Sequence, residues 1–185
     1  MISEFVKIAD LIHQGMSVDE IDTKLLGREK RETTRRQFRE LEHRIDSLTS
    51  EQIKILATGS LDEQKQITHL ALCKTYGIYK DFVTDVLAEK AQVYDFDLTD
   101  LDYNSFISRK VVDHPELDRL AATTKKKVKQ VLYKMLNQVG IIDSTSNPII
   151  LPPYVETRVE QAITIEKPNL LACFLYTEQQ INALS

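Results

Sequence analysis

The chain has 185 residues, 42% of them hydrophobic and 28% charged, with a net charge of −4. That length and balance suit one or two folded domains with a real core and exclude wholesale disorder. The acidic sum excludes a protein that is basic throughout, so any nucleic-acid surface has to come from segregated charge.

Five Ser/Thr-x-x-Glu/Gln pairs mark helix starts: Ser17 with Glu20, Thr34 with Gln37, Thr49 with Gln52, Ser60 with Glu63 and Thr177 with Gln180. At that spacing the hydroxyl and the third residue satisfy each other's orphan backbone donors. A first helix is predicted over residues 3–14, with Phe5, Ile8, Ala9, Leu11 and Ile12 inward and Gly15 as a left-handed cap. A short helix over 17–25, stopped by Gly27, and a long one over 34–48 complete an order like a helix-turn-helix. Helices over 50–57, 61–77 and 79–93 form the middle of the core.

Composition then shifts. Residues 81–102 carry seven acids against one base, Lys90. Residues 95–102 read as a solvated acidic linker between an N-terminal lobe, 1–94, and a C-terminal lobe, 103–185. The second lobe reads as helices over 101–110, 115–121 and 124–139, the last closed by Gly140. Ile141 and Ile142, a polar turn, and residues 149–151 then read as a short β-hairpin. Three helices and a hairpin is the winged-helix order, and the tail from Tyr154 reads as helical. The expected fold is therefore mainly α, with two helical lobes, one helix-turn-helix-like and one winged-helix-like.

Two basic constellations stand out. Between residues 28 and 44 lie Arg28, Lys30, Arg31, Arg35, Arg36, Arg39 and Arg44. Phe38, Leu41, Ile45 and Leu48 recur at helical spacing as the buried stripe, which sets Arg36, Arg39 and His43 on the opposite face with Arg35 flanking. Arginine can grip phosphate with two parallel hydrogen bonds. The competing reading is a solvated face laced with Glu–Arg pairs.

The helix over 124–139 carries Lys125, Lys126, Lys127, Lys129 and Lys134 and no acid. Val128, Val131, Leu132, Met135, Leu136 and Val139 are its expected core face. Lys126, Gln130, Tyr133, Lys134 and Asn137 then point outward, with Lys127 beside them. Lysines for phosphate and amides for base edges are what a duplex needs. The competing reading docks this helix on the chain's own acidic segment.

Signals for catalysis are poor. The four histidines are scattered, and no phosphate-binding Gly-rich loop, nucleophile elbow or CxxC is present. A calcium loop at 95–102 lacks its turn glycine and closing Glu. No metal, cofactor, small-molecule substrate or enzymatic activity is expected. Cys73 and Cys173 sit among apolar residues and read as buried reduced thiols of a cytoplasmic protein. The longest apolar run, at residues 170–176, is far short of the roughly 20 residues a membrane span needs, and the N-terminus does not read as a signal peptide.

These residues resemble a known family. The segment Thr33-Thr-Arg-Arg-Gln-Phe-Arg-Glu-Leu-Glu-His-Arg44, followed by Leu48-Thr, is similar to the N-terminal signature of the BrxA family. So are Leu70-Ala-Leu-Cys-Lys-Thr-Tyr76 leading to Asp81-Phe-Val-Thr-Asp-Val86, and His114-Pro-Glu-Leu117 leading to the lysine-rich helix and Gly140-Ile-Ile142. The likeness spans roughly residues 17–159. It implies a small helical accessory protein of BREX, a bacterial defence system that methylates host DNA and blocks phage replication. Its implied partners are double-stranded DNA and other BREX components. The alternative is an adaptor between those components without DNA contact of its own. The acids Glu40 and Glu42 depart from the expected charge pattern of the first basic helix.

Overall fold

The computed structural model describes residues 2–21 and 31–184, with the backbone alone at 19 and 31–35. Among the described residues the architecture is mainly α-helical and contains no strand. The chain forms two compact units: Met1–Gly77 with Val155–Pro168, and Ile78–Tyr154 with Asn169–Ser185. The sequence boundary at 95–102 does not coincide with this division, because that segment is tied into the second unit.

The first unit holds α1 (Ile2–His13), a 3-10 turn (Val18–Glu20), α2 (Arg31–Asp46), α3 (Ser50–Thr58), α4 (Leu61–Thr75) and α9 (Thr157–Glu166). The capping boxes at Thr49/Gln52 and Ser60/Glu63 open α3 and α4 as the spacing predicts. Ser17 and Glu20 also pair, but they hold a single 3-10 turn rather than the start of a longer helix. The remainder of the expected second helix, with Gly27, lies outside the described residues. Thr34 sits inside α2, which begins at Arg31, so it cannot cap that helix. Gly15 adopts φ +97°, the left-handed cap that a side chain at Cβ would strain.

Helix α4 runs through the middle of this unit, with nearly every residue from Gln66 to Cys73 buried. Phe5 and Ile8 of α1, Ile55 and Leu56 of α3 and Val159 and Ile163 of α9 complete the core. Several polar side chains are buried with it, Gln52 the most completely. Gln52, fully buried, donates to the Glu166 carboxylate at 2.7 Å, and the Lys74 ammonium reaches the same carboxylate at 2.7 Å. This contact ties α9 to α3 and α4.

The second unit contains α5 (Gly77–Phe82), which runs on through a π-helical turn (Val83–Leu87) into α6 (Ala88–Gln92). It also holds α7 (Asp100–Asp113), a 3-10 turn (Pro115–Leu117), α8 (Ala122–Val139), a 3-10 stretch (Pro168–Phe174) and α10 (Glu178–Leu184). Phe82, Tyr103, Phe106 and Tyr133 pack ring to ring, with centroids 5.1–6.1 Å apart, and form its aromatic centre. Thr177 and Gln180 cap α10 as predicted.

Three expectations change here. The helix over 115–121 is only a 3-10 turn. The β-hairpin is reduced to isolated antiparallel bridges, Ile142 with Ile150 and Asp97 with Ile149. Asp143 donates its N–H to Ile149 and Leu151 donates to Ile141 across the turn, but the Ile141 N–H goes back to Leu136 and the Asp143 carboxylate takes the Ile149 N–H, so the ladder does not extend. The acidic segment is not a free linker. Asp95 and Asp102 both pair with Lys90, Leu98 donates to Pro148, and Thr99 with Asp102 forms a capping box that opens α7.

Candidate nucleic-acid interface

Helix α8 begins after Ala121 without a side-chain cap and ends at Gly140, whose φ of +82° lets its N–H turn back to the last carbonyls. Its buried residues are Leu132, Tyr133, Leu136 and Val139. That stripe is rotated from the expected one: Tyr133 lies inside and Val131 is exposed. The reason is the ring's apolar area, which the cluster of Phe82, Tyr103 and Phe106 absorbs. Tyr133 therefore leaves the expected outward face.

The lysines divide into two groups. Lys129 pairs with Asp100 and lies 5.6 Å from the centre of the Tyr103 ring and 5.2 Å from that of Tyr133. Lys125 pairs with Asp118 and donates to its carbonyl at 3.1 Å. These two dock on the chain's own acids. Lys126, Lys127 and Lys134 are exposed and make no ion pair among the described residues. Gln130 is exposed beside them. Asn137 is engaged elsewhere: its amide donates to the carbonyls of Ile142 and Asp143, at 3.3 and 2.8 Å. It braces the turn after α8 and is not a free base-reading amide.

A cavity of about 890 Å³ opens between α7, α8 and the turn at Thr145. Asn104 and Asp100 of α7 face Lys126, Lys129, Gln130 and Lys134 across it, with Tyr133 at its wall. The sequence reading missed Asp100, Asn104 and Thr145 here. The available signal was the spacing of Asp100, Tyr103 and Asn104, which lie three and four residues apart and share a helix face. The Tyr133 hydroxyl is buried and has no hydrogen-bond partner among the described residues. Burial, then the nearby carboxylates of Asp100 and Asp102, hold it well above the usual phenol range, so it stays protonated.

On α2, Leu41 and Ile45 are buried as expected, and Arg36, Arg39 and His43 are exposed. Arg36 and Arg39 make no ion pair among the described residues. Arg44 is buried, donates to the Tyr76 hydroxyl at 3.1 Å and stacks 5.3 Å over its ring. That hydroxyl donates in turn to Glu40 at 2.6 Å. Arg31 and Arg35 lie in the first turns of α2, where the backbone alone is described, and Arg28 lies outside the described residues.

What these features define is a mainly helical protein of two units, with an exposed lysine face beside a polar cleft in the second. The model of the BrxA family matches residues 1–167, and the chain belongs to that family. It is 25% identical over 112 residues to the BREX protein BrxA of Escherichia coli O9:H4 (strain HS). That match covers 60% of this chain and 53% of the relative, about half its length. The crystal structure of an uncharacterized protein from Magnetospirillum magneticum is similar in fold, with a TM-score of 0.81 at 17% identity over 97% of this chain and 93% of that one. No helix among the described residues is long and apolar enough to cross a membrane.

Proposed function

We propose that this protein is a DNA-binding accessory protein of a BREX phage-defence system, acting by binding rather than by catalysis. The observation that carries the reading is the exposed trio Lys126, Lys127 and Lys134, without an ion pair among the described residues on a helix whose Lys125 and Lys129 are tied to acids. Exposed cations without internal partners are what phosphate contact uses, and Gln130 between them offers an amide to a base edge. Helix α8 follows α7 and a 3-10 turn and precedes the bridged pair Ile142 and Ile150, the chain position of a recognition helix in a pared-down winged helix. Arg36 and Arg39 on α2 supply a second, smaller cationic face. With one amide against several cations, affinity for duplex is expected to exceed sequence preference. The match to the BREX protein BrxA supports the defence setting and other BREX components as partners.

Fluorescence anisotropy of a labelled duplex, titrated with protein at low salt, tests this. Saturable binding is expected. No binding at low salt would sink it and favour the second reading, an adaptor between defence components. That reading draws on the exposed apolar side chains Tyr94, Leu101, Val112 and Tyr154, which offer contact area to a protein partner.

A further inference from the structure

The lysine face suits contact with a phosphate backbone, but it leaves the neutral polar groups of the cleft unused. A buried hydroxyl is hydrogen-bonded as a rule, and an exception calls for an explanation. Tyr133 is such an exception, 4% exposed and at the wall of a cavity of about 890 Å³. That volume lies within the roughly 300–1,000 Å³ typical of small-ligand sites. A duplex cannot enter it.

Its walls are chemically divided. Lys126 and Lys134 are exposed cations without an ion pair among the described residues. Beside them are neutral groups that can donate and accept, the exposed Asn104, Gln130 and Thr145 and the buried Tyr133 hydroxyl, with the Asp100 carboxylate paired to Lys129. An inorganic anion would use only the lysines, and an apolar ligand would suit neither group. A molecule with a phosphate at one end and a polar heterocycle at the other uses both.

We propose that this cleft binds a single unpaired nucleotide, its phosphate between Lys126 and Lys134 and its base edge against Asn104, Gln130 and the Tyr133 hydroxyl. The hydroxyl, being protonated, donates to a carbonyl or ring nitrogen of the base. Lys129 lies across the Tyr103 and Tyr133 rings and pairs with Asp100, so the base reaches the hydroxyl only if this side chain moves aside. The nucleotide comes either free from solution or extruded from a duplex, and only the second source rests on the DNA reading.

The test uses the full chain with three probes: dAMP, a matched duplex, and the same duplex carrying one bulged 2-aminopurine. Protein amide shifts follow dAMP, and anisotropy with 2-aminopurine fluorescence follows the duplexes. The extruded source predicts that the bulged duplex binds about tenfold tighter than the matched one, the worth of one good base-edge contact. The free source predicts saturable dAMP shifts at Asn104 and Gln130. Tyr133→Phe, which keeps the ring in its aromatic cluster, and Asn104→Ala, at an exposed position, are each expected to erase the effect. Equal binding of both duplexes together with no saturable dAMP shifts overturns the proposal, and matched-duplex binding in that case leaves the DNA reading standing. Saturable dAMP binding without any duplex binding supports the nucleotide site while the DNA reading falls.

Discussion

Helices α2 and α8 are both rich in positive charge, yet they use it differently. On α2 the charge is shared with the fold: Arg44 is buried against Tyr76, and Glu40 is drawn to the same hydroxyl, which leaves Arg36 and Arg39 outward. On α8 two lysines are tied to Asp100 and Asp118, and three make no ion pair among the described residues, on a helix without a single acid. A count of basic residues treats the two helices alike. The pairing of each side chain separates them and makes α8 the stronger candidate for phosphate contact.

Several variants can break or sharpen that contrast. Replacing Lys126, Lys127 and Lys134 together with Glu is expected to lower duplex affinity about a hundredfold or more at low salt, since each change removes one neutralised phosphate and adds repulsion. Anisotropy titration measures this, with circular dichroism confirming the fold. Arg44→Ala is expected to act on stability instead. It should lower the unfolding free energy in urea by about 1.5–3 kcal/mol, because a buried charge-assisted hydrogen bond is lost and Glu40 and Tyr76 are left facing each other. Exchanging Arg36 and Arg39 for Glu should weaken duplex binding by about tenfold at most, the weight of two phosphate contacts rather than three.

Smaller effects come from the acidic segment that opens α7. Thr99→Ala is expected to cost about 1 kcal/mol in urea unfolding, the usual worth of an N-cap. Asp102 is pushed up by burial, but the Thr99 hydrogen bonds and Lys90 outweigh this and leave its carboxyl below the ordinary value of 3.8. A carboxyl depressed in the folded state contributes stability that is present above 3.8 and is lost as pH falls through the folded value. Asp102→Asn should therefore destabilise the protein at about pH 7 and make less difference at about pH 2–3, measured by urea unfolding at both.

Much of the helical order was legible because it is written locally. Four of the five capping boxes form, and of the expected stripe Leu41 and Ile45 on α2 and Leu48 just beyond it are buried while Phe38 is half-buried. What local rules could not show is which tertiary partner a side chain meets. Tyr133 reads as an exposed residue until Phe82 and Tyr103 are beside it. Asn137 reads as a base-contacting amide until the turn at Ile142 and Asp143 takes both its protons. The segment 95–102 reads as a linker because its capping box carries Asp where Glu or Gln is usual, and because Pro148, which takes the Leu98 N–H, is distant in sequence. The cleft is harder still, since Asn104 and Thr145 come from separate elements and neither carries a motif.

The most direct test of the central claim is the salt dependence of duplex binding in three proteins: wild type, Lys126→Gln/Lys127→Gln/Lys134→Gln, and Arg36→Gln/Arg39→Gln. Each neutralised phosphate contributes a slope of about −0.9 in log affinity against log salt. The account predicts that the α8 variant flattens the wild-type slope by roughly 2 to 3, and that the α2 variant flattens it by less. A slope unchanged by the α8 substitutions, with that of the α2 variant reduced, would contradict it.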